Sequence, residues 1–197
     1  MWRVKVARKT QISKDVILQK ALEMLIRDGY SSINIKTLSK EIGCSTQPLV
    51  WHFKNMDELR SALAEYALNY ANNKMAPSAE QVLDAFVQVG HAYIQLAMHQ
   101  PNLFKFLYLN NDSNFSFPSI DTLKSYDSHE DLVKRLSKTY SISEEKAGRY
   151  LEHTIIYTHG IAALIAAGVV KVSKEEAMQM ITYAGFAFAN QEGIHLE

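Results

Sequence analysis

Apolar residues recur at helical spacing along almost the whole chain, and no convincing strand appears. Ile17, Ala21 and Leu25, together with Leu18, Leu22 and Ile26, repeat four residues apart and describe one wide apolar face. Ser13 stands where such a helix needs a cap, and Gly29 where it must stop. Asn34 and Gly43 bracket a second helix, "IKTLSKEI", with Ile35, Leu38 and Ile42 inward. A longer pattern spans 56–73 and is broken by "KMAPS" at 74–78. Ser78 with Gln81 resembles a capping box for a helix reaching about His99, with Val82, Phe86, Val89, Tyr93, Leu96 and Ala97 on its apolar side. Pro101 suits the first turn of the next. Residues 111–118, "NDSNFSFP", read as a loop; further helices are predicted at 128–140, from Ser143 to about Ala167, and from a Ser173–Glu176 capping box to about Asn190. The expected fold is all-α, with about nine helices. Its expected domains are 1–55 and 56–197, with 56–73 as a connecting helix.

Charge divides along the same line. The chain of 197 residues is neutral overall, but residues 1–60 carry eleven cations against six anions, a net +5, and the remainder carries −5. This asymmetry suits a polyanion as partner of the N-terminal part. One cysteine, Cys44, excludes an internal disulfide framework and points to a reducing compartment. The N-terminus has no apolar segment of a secretory kind, and the longest apolar run, 160–170, is shorter than the roughly 20 residues of a bilayer span. A cytoplasmic protein without membrane contact is expected. No nucleophile–base set, phosphate loop or metal-ligand spacing occurs, so neither enzyme, cofactor nor metal is expected.

The spacing of the second and third segments is that of a helix-turn-helix. Ser39 is small enough for a close crossing, Gly43 serves the turn, and Leu38 and Ile42 face Leu49 and Phe53. Ser45 is read as the cap of the third helix, which puts Pro48 in the first turn, where its missing N–H removes no hydrogen bond. Thr46, Gln47, Val50 and Trp51 then face outward near the helix N-terminus, the end offered to the major groove of double-stranded DNA. Gln47 suits paired hydrogen bonds to an adenine edge, and Thr46 or Pro48 a thymine methyl. Trp51, His52 and Lys54 suit phosphates, Lys36 a phosphate or a guanine, and the tail with Lys5, Arg8 and Lys9 adds salt-sensitive attraction. Trp51 as a core-capping aromatic, and His52 as a partner of the first helix, remain open.

Residues 15–59, "DVILQKALEMLIRDGYSSINIKTLSKEIGCSTQPLVWHFKNMDEL", resemble the N-terminal signature of the tetracycline-repressor (TetR) family of bacterial transcription regulators. Gly29-Tyr30, Gly43, Leu49 and His52-Phe53 ahead of "KNMDEL" carry the likeness. Val50 stands where that family usually has a phosphate-binding tyrosine, and Met56 where a lysine usually opens the fourth helix. The resemblance implies a repressor released from a palindromic operator by a small-molecule effector. A helical ligand-binding or adaptor protein that no longer binds DNA is the alternative.

The resemblance also implies that the C-terminal helices form a homodimer and bind an effector of unknown identity. Small residues in the last two helices, Gly160, Ala163, Ala167, Ala184 and Gly185 among them, suit close helix approach in a dimer or within one chain. Tyr93, Phe104, Tyr108, Phe115, Tyr157 and His159 supply an apolar pocket with polar handles, to which His91 and His99 could add; ordinary core packing is open for each.

Overall fold

The computed structural model describes residues 12–109 and 127–195. Over these residues the chain is helical: α1 Lys14–Asp28, α2 Ile35–Ile42, α3 Gln47–His52, α4 Met56–Met75, α5 Val82–His99, α6 Pro101–Tyr108, α7 Asp127–Tyr140, α8 Glu144–Ala166 and α9 Lys174–Glu192. A short 3-10 turn, Tyr30–Ser32, joins α1 to α2. The chain divides into two compact units within α4, the first ending at Tyr66 and the second beginning at Ala67. The loop expected at 111–118 lies outside the described residues.

In the first unit the i, i+4 pattern is the core. Ile17, Ala21 and Leu25 of α1 are fully buried, as are Leu38, Leu49, Leu59 and Leu63. Burying one such leucine contributes roughly 1.5–3 kcal/mol. The Ser13 side chain accepts from Val16 N–H, and Gly29, at φ 83°, ends the helix. Asn34 forms a reciprocal capping box with Thr37.

The second unit packs α5 against α8, with α6, α7 and α9 also on α8. One of its core clusters joins Val82, Leu136, Ala147, Tyr150, Leu151, Ala189 and Ile194. Ser143 caps α8, and Ser173 and Glu176 form the expected capping box of α9. At the far end of α9, Glu192 is only 4 % exposed and is gripped by Arg149, with Nε and Nη2 donating at 3.1 and 2.8 Å. Arg149 thereby holds the Glu192 carboxyl below its ordinary range.

One cap differs from expectation. Gln81, in extended conformation, is itself the N-cap of α5, without a side-chain hydrogen bond. Ser78 N–H instead donates to Oε1 of Gln88 at 2.9 Å, so a side chain inside the helix reaches back to hold the preceding loop.

Candidate nucleic-acid interface and effector region

Gly43 adopts the left-handed conformation (φ 77°, ψ 32°) that lets the chain turn sharply after α2. Cys44 N–H donates to Ser39 O at 3.0 Å, closing the turn. Ser39 is buried as expected, its hydroxyl donating to Lys36 O at 3.0 Å.

Ser45 is not the cap of α3. The N-cap is Thr46, in helical conformation and without a side-chain hydrogen bond, and the first helical bond runs from Val50 N–H to Thr46 O at 3.1 Å. A helical residue at the cap does not present its hydroxyl to the following N–H groups as an extended one does. Pro48 falls at the second helical position, where it still displaces no hydrogen bond. Gln47 lies inside the helix although it precedes proline, which disfavours that conformation. Helix α3 is therefore short, and Phe53 ends it in extended conformation (φ −134°, ψ 118°).

Leu49 and Phe53 point inward. Ser45, Thr46, Gln47, Val50 and Trp51 are exposed together, Pro48 half-buried beside them. Trp51 is 69 % exposed, which sets aside a core role for it. His52 is half-buried; its Nε2 donates to the Ile12 carbonyl at 2.9 Å, just ahead of α1, and its ring meets Trp51 edge-on at 4.7 Å. That bond leaves Nδ1 for any other partner. Lys36 is exposed at the start of α2. Lys54 is exposed too, its Nζ 3.6 Å from Glu58, so a phosphate would have to compete with that carboxylate. Lys14, which the sequence reading did not single out, holds its Nζ 5.5 Å from the Phe53 ring; no local pattern connects residues so far apart.

In the second unit four expected effector residues do meet. Tyr93, Phe104 and Tyr108 pack with all three centroid separations at 5.0 Å, and His159 lies 6.1 Å from Tyr93 and 6.3 Å from Phe104. The Tyr93 hydroxyl and His159 Nδ1 share a hydrogen bond of 2.9 Å. Burial raises the Tyr93 pKa far above its ordinary value and lowers that of His159, so both groups are held neutral. Tyr157 does not join them; it contacts Phe188 at 6.2 Å. Two positions along a helix amount to about 200° of rotation, which turns Tyr157 away from the face of His159. Phe115 lies outside the described residues. His91 Nε2 is buried without a hydrogen-bond partner, and burial, with a smaller effect of Lys174, lowers its pKa.

Of the four rings Phe104 is fully buried and the other three are half-buried. An open cleft of about 210 Å³ lies elsewhere in this unit, lined by Lys74, Met75, Ala92, Gln95, Leu96, His99 and Gln100. Sequence reasoning missed it, because it arises where the α4–α5 connection and the α5–α6 junction meet, and helical periodicity is silent about junctions. Among the described residues no group of three His, Cys, Asp or Glu is placed to hold a metal ion. No described helix is long and apolar enough to cross a membrane.

Taken with the turn at Gly43, the outward front of α3 defines a helix-turn-helix protein with an all-helical second unit. Residues 17–63 match the family described as bacterial regulatory proteins, tetR family. That stretch is about a quarter of the chain, and it contains most of α1, all of α2 and α3 and the start of α4. The chain is 28 % identical over 83 residues to the tetracycline repressor protein class A from transposon 1721 of Escherichia coli, covering 42 % of this chain and 38 % of that protein. To the class C tetracycline repressor of Escherichia coli it is 27 % identical over 78 residues, 40 % of this chain and 36 % of the other. An uncharacterized HTH-type transcriptional regulator of Mycobacterium tuberculosis is 29 % identical over 100 residues, 49 % of this chain and 45 % of the other. The matched stretches thus span less than half of each curated relative. A crystal structure of a TetR variant from Acinetobacter baumannii in complex with minocycline superposes with a TM-score of 0.61 at 15 % identity, over 94 % of this chain and 99 % of that one, and shares the fold.

Proposed function

We propose that the chain is a sequence-specific DNA-binding transcriptional regulator, a homodimeric repressor released from a near-palindromic operator by a small-molecule effector. The exposed front of α3 carries this reading: Thr46, Gln47, Val50 and Trp51 face outward while Leu49 anchors the helix from behind. In that role Gln47 reads a base edge, and Trp51, Lys54 and Lys36 grip phosphates. The reducing interior of the cell, where DNA and a free Cys44 coexist, is the matching compartment.

Dimerisation through α8 and α9 is supported by apolar side chains left at the surface: Ile156, Leu164, Tyr183 and Phe186 are each at least 41 % exposed. A Cβ added at Gly160 or Gly185 would meet nothing within 4 Å, so packing within one chain does not account for glycine there. Two identical heads match a two-fold symmetric site. Effector binding would act through α4, the helix shared by the two units, by favouring one of two arrangements of the dimer.

Selection of bound duplexes from a random pool, repeated across a salt series, tests the proposal. Two-fold symmetric sites and a steep fall in affinity with salt are expected. Gln47→Ala should relax preference at one position in each half-site by about 1–3 kcal/mol, and Lys54→Ala should weaken all sites alike. Because Val50 and Met56 replace the usual tyrosine and lysine, the alternative is a helical adaptor without DNA binding, and it would enrich no sequence at any salt concentration.

A further inference from the structure

We infer that His52 meets a duplex phosphate only as an imidazolium, so that each DNA-binding head takes up one proton when it docks. The proton is then a co-ligand of the DNA surface proposed above, and its role rests on that proposal.

The tie to Ile12 decides which ring nitrogen is protonated. A carbonyl oxygen only accepts, so Nε2, 2.9 Å from the Ile12 oxygen, carries the single ring proton of a neutral His52. Its Nδ1 then presents a bare lone pair. That atom has no hydrogen-bond partner among the described residues and is open to solvent. A phosphate oxygen is also an acceptor, and two acceptors repel. A second proton, drawn from solvent onto Nδ1, turns the repulsion into a charge-assisted hydrogen bond and strengthens the one to Ile12 as well. The ring that joins the start of α1 to α3 thereby holds the duplex backbone too.

Position favours a phosphate over a base. His52 is the last residue of α3, five positions beyond Gln47, or about 7.5 Å further along the helix axis. The major groove is about 8.5 Å deep. With α3 entering front end first and Gln47 at a base edge, His52 stands level with the backbone at the rim. The unpaired carbonyls at the C-terminal end of a helix also favour a cation there.

The elements around the ring leave its second charge to the duplex. Helix α3 packs against α1 and α2 and is followed by α4. Lys14 and Asp15 open α1, Lys36 lies in the first turn of α2, and Asp57 and Glu58 lie in that of α4. Glu41 of α2 is held by Arg27 at 3.0 Å, and Glu58 lies 3.6 Å from Lys54. Among the described residues no carboxylate forms an ion pair with the His52 ring.

Titrations of the selected duplex at fixed salt, between pH 8.5 and 6.5, test this with the parent and with His52→Gln. The glutamine amide still donates to the Ile12 carbonyl but takes up no proton. Imidazoles ordinarily gain the second proton near pH 6.5, and an anionic partner favours the charged form. Parent affinity should therefore rise about fivefold per head as pH falls over this range, beyond any change in the variant. A second readout needs no variant: each added phosphate contact steepens the fall of log affinity with log salt by about 0.9, so the parent's slope should be steeper at pH 6.5 than at pH 8.5. Equal pH dependence in parent and variant, or a salt slope that does not change with pH, overturns the inference. So does affinity that falls with acid in the parent alone, the mark of a neutral Nδ1 accepting from a base amino group. Loss of the DNA-binding reading would appear separately, as no salt-dependent duplex binding at either pH.

Discussion

The run Trp51, His52 and Phe53 and the cluster Tyr93, Phe104, Tyr108 and His159 are built from the same kinds of side chain and put to opposite uses. In the first, Phe53 is buried, His52 is tied to Ile12, and Trp51 is left in solvent. In the second, Phe104 is fully buried and the Tyr93 hydroxyl is bonded to His159. The difference teaches that what an aromatic residue does depends on how much of it its own chain covers. Trp51 is left in solvent, and Tyr93 is drawn into a hydrogen-bonded cluster.

Five experiments break or sharpen this contrast. The largest effect should come from Leu49→Ala, which leaves a cavity behind α3 and should cost about 2–5 kcal/mol in chemical denaturation, taking duplex binding with it. Tyr93→Phe should cost about 1–2 kcal/mol, since it leaves His159 Nδ1 unpaired in a buried place. Acidification should act on the same cluster. Burial lowers the His159 pKa in the folded protein, so the unfolded chain binds protons first; stability is complete above the unfolded value near 6.5 and is lost as pH falls below it. Melts between pH 7.5 and 5.5 should show that decline, and His159→Gln should reduce it, the remainder coming from His91, whose pKa burial also lowers.

Trp51→Ala, by contrast, should change stability by no more than about 0.5 kcal/mol while weakening duplex binding in a gel-shift titration. Equal losses in both would place Trp51 in the same category as Tyr93. The smallest effect belongs to Ser45→Ala, whose melting temperature should match the parent, because Thr46 and not Ser45 begins α3. Asn34→Ala, which removes a working cap, provides the control at about 1 kcal/mol.

Local rules recovered the helices because each is declared by residues a few positions apart: Ser13, Asn34, Ser143 and Ser173 at the starts, Gly29 and Gly43 at the ends. Two caps failed where another bond won, Gln88 reaching back to Ser78, and Thr46 adopting helical angles ahead of Pro48. The exposed front of α3 was legible for the same local reason. The cleft around Gln100 was not, because it depends on where three helices end relative to one another. That Tyr157 packs on Phe188 and not with the Tyr93 rings was not legible either, because a list of aromatic residues omits their direction around α8.

The grip of Arg149 on Glu192 has a mechanical corollary. Helix ends ordinarily fray, and a carboxylate at the C-terminal end of a helix opposes the backbone dipole. Here the last turn of α9 is riveted to α8 instead, so its amides should exchange with deuterium as slowly as those in the middle of the helix. Any force or binding event that pulls on the end of α9 is therefore transmitted along α8 before it is absorbed by local melting.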